Sequence, residues 1–289
     1  MATFHHTQKA EATLQQATPA SLHHLHVVSE NPARLIEFYR RLMDMSLVMT
    51  GGPETVLVGP NRAMTIVAAG NGAQPYWGFA LKSETGLAAL RRRLEGNGTK
   101  IEALASPLFQ PGAFLVSDPQ GRRMGFGLAA DHGVATGMPG RLQHTVFQTT
   151  ELEPVVRFYT ENLGFTISDE VVDTDDTIKV VFMRSDDEHH SLAFFQGSRN
   201  EWDHHCYETN EWNDIRDWGD RFAAAKVPIF FGPGRHGPGR NLFFMVNDPD
   251  GNRVELSAEL EIVPAGTEPG TWPHAETTLN TWGSAWIRS

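Results

Sequence analysis

Hydrophobic and polar positions follow the same order twice along this chain. The segment LHHLHVVSENPARLIEFYRRLMDM (22–45) resembles LQHTVFQTTELEPVVRFYTENLGF (142–165). Each has a histidine, a short apolar run, a polar break and then a predicted helix that carries Phe-Tyr. His24 precedes Phe38 by fourteen residues, and His144 precedes Phe158 by fourteen. This self-similarity predicts two related modules.

The rest of each module has matching elements. The apolar runs that predict further strands lie at 55–58, 63–68 and 76–81 in the first module, and at 178–183, 191–196 and 204–208 in the second. Each module continues with a predicted helix, TGLAALRRRLEGNG or EWNDIRDWGDRFAAAKV. Each ends in a hairpin around an Asp-Pro-x-Gly turn, SDPQGRRMGFGL or NDPDGNRVELSA. We therefore predict an α+β fold.

The repeats and the composition between them predict the domain organisation. The predicted segments are an N-terminal tail (1–20), a first module (21–133), a second module (134–262) and a C-terminal extension packed over the second module (263–289). The formal charge of −11 argues against nucleic-acid binding, and no run of 18 apolar residues predicts a membrane span. The single cysteine, Cys206, excludes an internal disulfide and suits a cytoplasmic protein.

Comparison of the two modules indicates where chemistry resides. His144 aligns with His24, but His205 aligns with Trp77 and Glu255 with Gly125. Only the second module therefore offers two imidazoles and a carboxylate, the ligand set of non-haem Fe(II) sites, with Mn(II) as an alternative ion. His204 and His205 point to opposite faces of a strand, and we assign His205 as the ligand and His204 to packing or support. The alternative for His144 is a core histidine.

These residues resemble the type I extradiol ring-cleaving dioxygenases of the vicinal oxygen chelate superfamily. The resemblance covers roughly 21–260 and is most specific in GRHGPGRNLFFMVNDPDGNRVEL (234–256). It implies two tandem modules of paired βαβββ units, with Fe(II) bound in the second. The motifs LQHTVF, DHHCYE and NRVEL then carry the ligands His144, His205 and Glu255.

The resemblance also implies roles for residues around the metal. His190 matches a histidine that assists proton transfer and stabilises activated oxygen, and His236 matches one near the substrate hydroxyl. Many members have a tyrosine where this chain has Met245, and methionine cannot donate a proton. The candidate walls of an apolar pocket are Phe182, Phe195, Trp202 and Phe243, and plain core packing is the alternative for each.

The implied activity is ring cleavage of a catechol-like aromatic diol with O2, in aromatic catabolism, by a homo-oligomer. One rival is an oxygen-independent lyase or isomerase of glyoxalase type, which differs in having no need for O2. Another is a non-catalytic binding protein, which would have no use for a carboxylate such as Glu255 in an apolar strand. The terminal histidines His5 and His6 carry no function that the sequence supports.

Overall fold

The computed structural model describes residues 19–49, 54–70, 72–133 and 135–285. Most of the predicted N-terminal tail, with His5 and His6, therefore lies outside the described residues, as do 286–289 of the predicted extension. No helix in the described ranges is long and apolar enough to cross a membrane.

The first module contains a strand–helix–three-strand unit twice. Its first unit comprises β1 (Ala20–Ser29), α1 (Pro32–Leu42), β2 (Ser46–Met49), β3 (Glu54–Gly59) and β4 (Arg62–Ala68). Its second unit comprises β5 (Tyr76–Leu81), α2 (Glu84–Gly96), β6 (Glu102–Ala103), β7 (Phe114–Ser117) and β8 (Arg123–Gly127). The strands form one sheet in the order β2-β3-β4-β1-β5-β8-β7-β6.

The second module repeats this plan and adds a terminal strand. Its first unit comprises β9 (Arg141–Thr149), α3 (Leu152–Arg157), a π-helical turn (Phe158–Asn162), β10 (Thr166–Val172), β11 (Ile178–Arg184) and β12 (Leu192–Gln196). Its second unit comprises β13 (Glu201–Glu208), α4 (Trp212–Ala224), β14 (Ile229–Arg235), β15 (Leu242–Asn247) and β16 (Arg253–Ala258). After these come β17 (Gly270–Pro273) and α5 (Glu276–Leu279), and the sheet order is β14-β15-β16-β13-β9-β12-β11-β10-β17.

This architecture confirms the predicted α+β fold with two tandem modules of paired βαβββ units. Helix α1 begins where the sequence supplies a cap: the Asn31 side chain accepts a hydrogen bond from the Arg34 N–H, and Pro32 opens the helix. One face of α1 buries Phe38 and Tyr39. The module boundaries at 133/134 and 262/263 stay a prediction.

A continuous apolar core joins the two modules. The ring of Trp77, on β5, packs edge-on against Phe147 on β9 and against Trp202 on β13, with centroid distances of 4.6 and 5.6 Å. Across the same junction, the Arg122 guanidinium donates to the Gln148 carbonyl at 3.0 Å. The first module therefore supports the central strands β9 and β13 of the second from behind.

The segment after β16 lies against the second module. Strand β17 pairs in parallel with β10, at the edge of the sheet. Beyond it, the Thr278 carbonyl accepts from the Gly237 N–H at 2.9 Å, and the Arg235 carbonyl accepts from the Thr281 N–H at 2.8 Å. These contacts bring α5 to the mouth of the concave face of the sheet.

Candidate metal centre

Three buried side chains converge on the concave face of the second module. His144 lies on β9, His204 on β13 and Glu255 on β16, three strands that are neighbours in the sheet. One potential ligand atom from each lies within 4.8 Å of the other two. Glu255 Oε2 is 3.2 Å from His204 Nε2 and 3.8 Å from His144 Nε2. Two imidazoles and one carboxylate are thus ready to bind one ion.

The expectation that His205 belongs to this group is wrong. In β13 alternate residues face opposite sides of the sheet, and His204 shares the concave side with Glu255. His205 faces the other way, where Nε2 lies 3.1 Å from the Tyr39 hydroxyl and the ring stacks on Trp202. The sequence identified the histidine pair but assigned the two faces in reverse.

The first module has no histidine opposite either His204 or His205, so comparison of the two modules does not show which of them faces Glu255. The alignment of His205 with Trp77 holds in the sheet register, because His144 pairs with Cys206 where His24 pairs with Gly78. The counterpart of His204 is therefore Tyr76, whose hydroxyl lies 3.2 Å from His24 Nε2.

Each ligand histidine is oriented by the residue that precedes it. His144 Nδ1 is 2.5 Å from the Gln143 amide oxygen, and His204 Nδ1 is 2.5 Å from an Asp203 carboxylate oxygen. Both acceptors favour hydrogen on Nδ1 and leave the Nε2 lone pair for a metal. Asp203 is held in turn by Arg253, whose Nη1 donates to it at 2.8 Å. Sequence reasoning missed these partners, although a polar residue directly before each ligand was a usable signal.

Electrostatics favour a charged carboxylate at the centre. Burial by itself raises the pKa of Glu255, but His144 and His204, when protonated, place N–H groups and positive charge beside it and hold the pKa well below its usual range. Burial lowers the pKa of His144. Burial also lowers the pKa of His204, but the contacts of His204 with Asp203 and Glu255 outweigh burial and raise the pKa above its usual value. A proton on His204 therefore competes with a metal for Nε2.

The carboxylate of Glu255 is only half satisfied by protein. Oε1 accepts a hydrogen bond from the Asn241 amide at 3.2 Å. Oε2 is buried, and within the described part of the chain it has no hydrogen bond of good geometry. An unpaired buried carboxylate oxygen is costly, and a divalent cation held by Glu255, His144 and His204 would remove that cost. The residues present thus fit a metal ion.

Two further histidines border the same space, as the sequence predicted. The His190 ring lies 4.5 Å from that of His144, centroid to centroid, and its Nδ1 is 3.0 Å from His189 Nδ1. His236 Nδ1 donates to the Leu279 carbonyl at 2.6 Å, so its Nε2, 3.8 Å from Glu255 Oε1, carries the lone pair. Burial lowers the pKa of His236 to about 4 and that of His190 well below its usual range.

A small cavity opens beside the three candidate ligands. Phe182, Phe195 and Met245 line it, as expected from the sequence. The remaining lining residues, which the sequence did not single out, are Val146, Pro238, Thr278 and Leu279. Nothing in the sequence signals Thr278 and Leu279, because they reach the cavity through the path of the C-terminal segment.

Two predicted wall residues lie elsewhere. Phe243 stacks face to face on the His236 ring at a centroid distance of 3.8 Å, and so supports that histidine from behind. The Trp202 ring stacks on His205 at 5.0 Å, and its Nε1 donates to Thr145 at 2.9 Å. Trp202 therefore belongs to the packing between modules and not to the cavity lining.

Comparison with known families and proteins agrees with this centre. Residues 141–256 match the model of the Glyoxalase/Bleomycin resistance protein/Dioxygenase superfamily. The matched range begins at β9 and ends within β16, so it contains all three ligand positions.

Similar curated proteins include enzymes named for catechol cleavage. The chain is 32% identical to Metapyrocatechase 2 of Cupriavidus necator over 188 residues, 64% of this chain and 56% of that protein. It is 28% identical to Metapyrocatechase of Pseudomonas sp. (strain CF600) over 135 residues, 46% of this chain and 43% of that protein. The alignments thus span about half the length of these two relatives.

Solved structures share the fold over nearly the whole chain. Homoprotocatechuate 2,3-dioxygenase from Arthrobacter globiformis superposes with a TM-score of 0.81 and 21% identity, covering 94% of this chain and 90% of that one. The Brevibacterium fuscum enzyme in its complex with 3,4-dihydroxyphenylacetate superposes with a TM-score of 0.81 and 19% identity, covering 96% of this chain and 93% of that one. At these identities the likeness establishes the fold.

Proposed function

We propose that this chain is an extradiol dioxygenase of the glyoxalase/bleomycin resistance protein/dioxygenase superfamily, whose model matches residues 141–256. It would open the ring of a catechol-like diol with O2 beside the two hydroxyl groups. The observation that carries the proposal is the convergence of the buried His144, His204 and Glu255 beside a cavity whose other walls are largely apolar. Relatives named metapyrocatechase and 3-methylcatechol 2,3-dioxygenase support the same reaction.

The proposed cofactor is Fe(II), with Mn(II) as the alternative, held by His144, His204 and Glu255. When bound, such an ion lowers the pKa of a coordinated hydroxyl and has coordination positions left for both diol oxygens and O2. The protein supplies one negative charge and two neutral imidazoles to it, and the tautomers of both imidazoles are fixed in advance by Gln143 and Asp203.

His236 and His190 divide the proton transfers in this proposal. His236 turns a lone pair on Nε2 towards the centre, so it can accept a hydroxyl proton of the diol. His190 borders the cavity next to His144 and can take up the proton of the second hydroxyl group and return it later. Met245 contributes only an apolar wall, which leaves hydroxyl recognition to His236.

The lining of the cavity favours an uncharged catechol. Among the described residues that line it, none is Lys or Arg, and the polar atoms belong to Thr278 and to the histidines and carboxylate of the centre. A substrate carboxylate would be buried there without a cationic partner, at a cost of several kcal/mol. We therefore expect catechol or an alkyl catechol to be preferred over 3,4-dihydroxyphenylacetate.

Oxygen uptake by anaerobically Fe(II)-loaded protein tests the proposal. With catechol and 3-methylcatechol, we expect O2 consumption equal to the yellow ring-opened product formed, and at least tenfold lower kcat/KM with 3,4-dihydroxyphenylacetate. His204→Ala, which lacks a ligand, should consume no O2. Turnover of a substrate without O2 by the metal-loaded protein would contradict the proposal and favour the glyoxalase-type lyase.

We also propose that the enzyme works in the cytoplasm as a homo-oligomer. The single thiol, Cys206, is buried and reduced, as suits that compartment. The edge strands β2 and β14 each expose apolar side chains, among them Met49 and Phe230. Exposed apolar sheet edges are commonly covered by another chain. Light scattering coupled to size-exclusion chromatography would give the mass, and a mass of one chain would contradict this assembly.

A further inference from the structure

A second histidine stands directly behind His190. His189 and His190 precede β12, and both are buried. Their rings meet edge to face, with Nδ1 of each 3.0 Å from Nδ1 of the other. On the far side of His189, the Asp169 carboxylate oxygen Oδ2 lies 3.0 Å from Nε2. A carboxylate, an imidazole and the cavity histidine thus stand in a row.

Asp169 is fixed by the terminal strand. Its Oδ2 accepts a hydrogen bond from Trp272 Nε1 at 2.6 Å, and its Oδ1 accepts from the Gly270 N–H at 3.0 Å. Both donors lie on β17, which pairs with β10 at this position. The His189 backbone N–H donates to the Glu261 carbonyl at 2.8 Å, so the segment after β16 holds this residue as well.

Charge decides which nitrogen of His189 carries hydrogen. A carboxylate can only accept, so its oxygen favours N–H over a lone pair on the nearby Nε2. The contact is close but bent away from ideal hydrogen-bond geometry, so it acts mainly through charge. A neutral imidazole has one N–H. With hydrogen on Nε2, His189 presents a lone pair on Nδ1 to its neighbour.

The neighbour must then be the donor. At 3.0 Å between the two Nδ1 atoms, one hydrogen is shared, and it has to come from His190. Neutral His190 therefore keeps its lone pair on Nε2, the nitrogen left for the cavity. If the hydrogen on His189 moved to Nδ1, His190 would carry its own hydrogen on Nε2 and face the cavity as a donor.

We propose that Asp169 and His189 are positioning residues that hold neutral His190 as the tautomer with its lone pair on Nε2. His190 is then set to take a proton from a bound diol: the hydroxyl O–H bond breaks, an Nε2–H bond forms, and the charge of Asp169 offsets the resulting imidazolium. This step rests on the proposed dioxygenase function, whereas the tautomer itself does not.

The tautomer can be read without turnover, by 15N NMR of histidine-labelled protein loaded with diamagnetic Zn(II). We expect His190 to show a protonated Nδ1 and an unprotonated Nε2, with His190→Gln and His189→Gln identifying the two rings. In Asp169→Asn the charge is lost and the amide can donate to His189, so the protonated nitrogen of His190 should shift towards Nε2.

Trp272→Phe is the matched control for that variant. It also breaks the hydrogen bond between Asp169 and Trp272, but it keeps the carboxylate, so the wild-type tautomer should remain. Circular dichroism and Zn(II) content establish that both variants are folded. A wild-type spectrum with hydrogen on His190 Nε2, or an Asp169→Asn spectrum identical to wild type, would overturn the proposal.

Kinetics with Fe(II) add a second readout. Asp169→Asn should lower kcat by roughly 10- to 100-fold with a small change in KM, because orientation of a proton-transfer group affects the chemical step more than binding. Trp272→Phe should lower kcat much less than Asp169→Asn does. If the NMR result holds but wild-type protein opens no catechol ring, the dioxygenase function fails while the positioning role stands.

Discussion

The Tyr39 hydroxyl lies 3.1 Å from His205 Nε2, and it joins α1 of the first module to the strand that carries His204. The same hydroxyl donates to Asp248 Oδ2 at 3.2 Å. Burial raises the pKa of Tyr39 well above its usual range and lowers that of His205 to about 3, so both are neutral. His205 Nε2–H therefore donates to Tyr39, which donates to Asp248. His205 serves the contact between modules, and its neighbour His204 faces Glu255 in the candidate metal centre.

The first prediction separates the two adjacent histidines. His204→Ala should lose the metal, because only Glu255 and His144 remain as ligands. His205→Ala should retain it, but should unfold more readily by about 2–5 kcal/mol, since a large buried side chain is removed. Metal content after gel filtration and urea denaturation measure the two effects. Metal loss from folded His205→Ala, with retention in His204→Ala, would reverse our assignment.

The second prediction concerns the hydroxyl that links the modules. Tyr39→Phe should lower the free energy of unfolding by about 1–3 kcal/mol, because a buried N–H of His205 loses its acceptor and Asp248 Oδ2 loses one of its two donors. Metal affinity should stay within about twofold. Phe38→Leu, on the same helix, is a control for packing alone. Equal metal loss and destabilisation in Tyr39→Phe would mean that Tyr39 acts on the metal centre.

The third prediction concerns the carboxylate behind His204. Asp203→Asn should weaken metal binding by about 10- to 100-fold, because the oriented partner of a ligand histidine loses its charge. Competition with a fluorescent chelator gives the dissociation constant. Asp217→Asn makes the same change of charge at an exposed position on α4, away from the site, and this variant should bind metal as wild type does. An unchanged affinity in Asp203→Asn would remove Asp203 from the metal-binding apparatus.

The fourth prediction is a pH dependence of stability from Glu208. Burial raises the pKa of this carboxyl to about 7, well above its ordinary value of 4.5. Between about pH 4.5 and pH 7, the folded protein therefore keeps a proton that the unfolded chain has released. The stabilisation from this proton is fully present below about pH 4.5 and is lost as the pH rises through about 7. The loss is roughly 3–4 kcal/mol, at about 1.4 kcal/mol for each pH unit between the two pKa values.

Glu208→Gln removes that titration. Metal-free Glu208→Gln should lose less stability than wild type between about pH 5 and pH 8, and should exceed it at the upper end. Urea denaturation at both pH values measures the difference. Glu201→Gln, at the start of the same strand, is the control for the substitution itself. Parallel changes in wild type and Glu208→Gln would contradict the raised pKa.

Local pattern was enough to predict the fold. The repeated spacing from histidine to Phe-Tyr, the paired Asp-Pro-x-Gly turns and the alternating strands predict two modules of the same order, and the structure confirms them. These features depend on side-chain period and turn geometry, which neighbouring residues specify. The candidate ligand Glu255 was found by comparison of the modules, as a carboxylate in an apolar strand where the first module has Gly125, whereas His144 aligns with His24 and depends on its partners for its assignment.

Which face of β13 turns to the metal was decided only by tertiary structure. Histidines at 204 and 205 alternate in either case, and the choice between them depends on how the strand curls around Glu255 and on what covers its other side. That other side is covered by Tyr39 and Trp202, and Tyr39 comes from a helix 166 residues away. No local pattern records a contact at such a separation.

The path of the C-terminal segment was decided in the same way. The sequence by itself determined a duplicated α+β fold and a histidine–carboxylate centre in its second half, because both follow from local periodicity and from differences between repeats. Only the folded chain brings Leu279 to the cavity and Trp272 to Asp169. Pairing of β17 with β10 is a long-range event, set by the free energy of packing the whole module, and short-range spacing carries no trace of it.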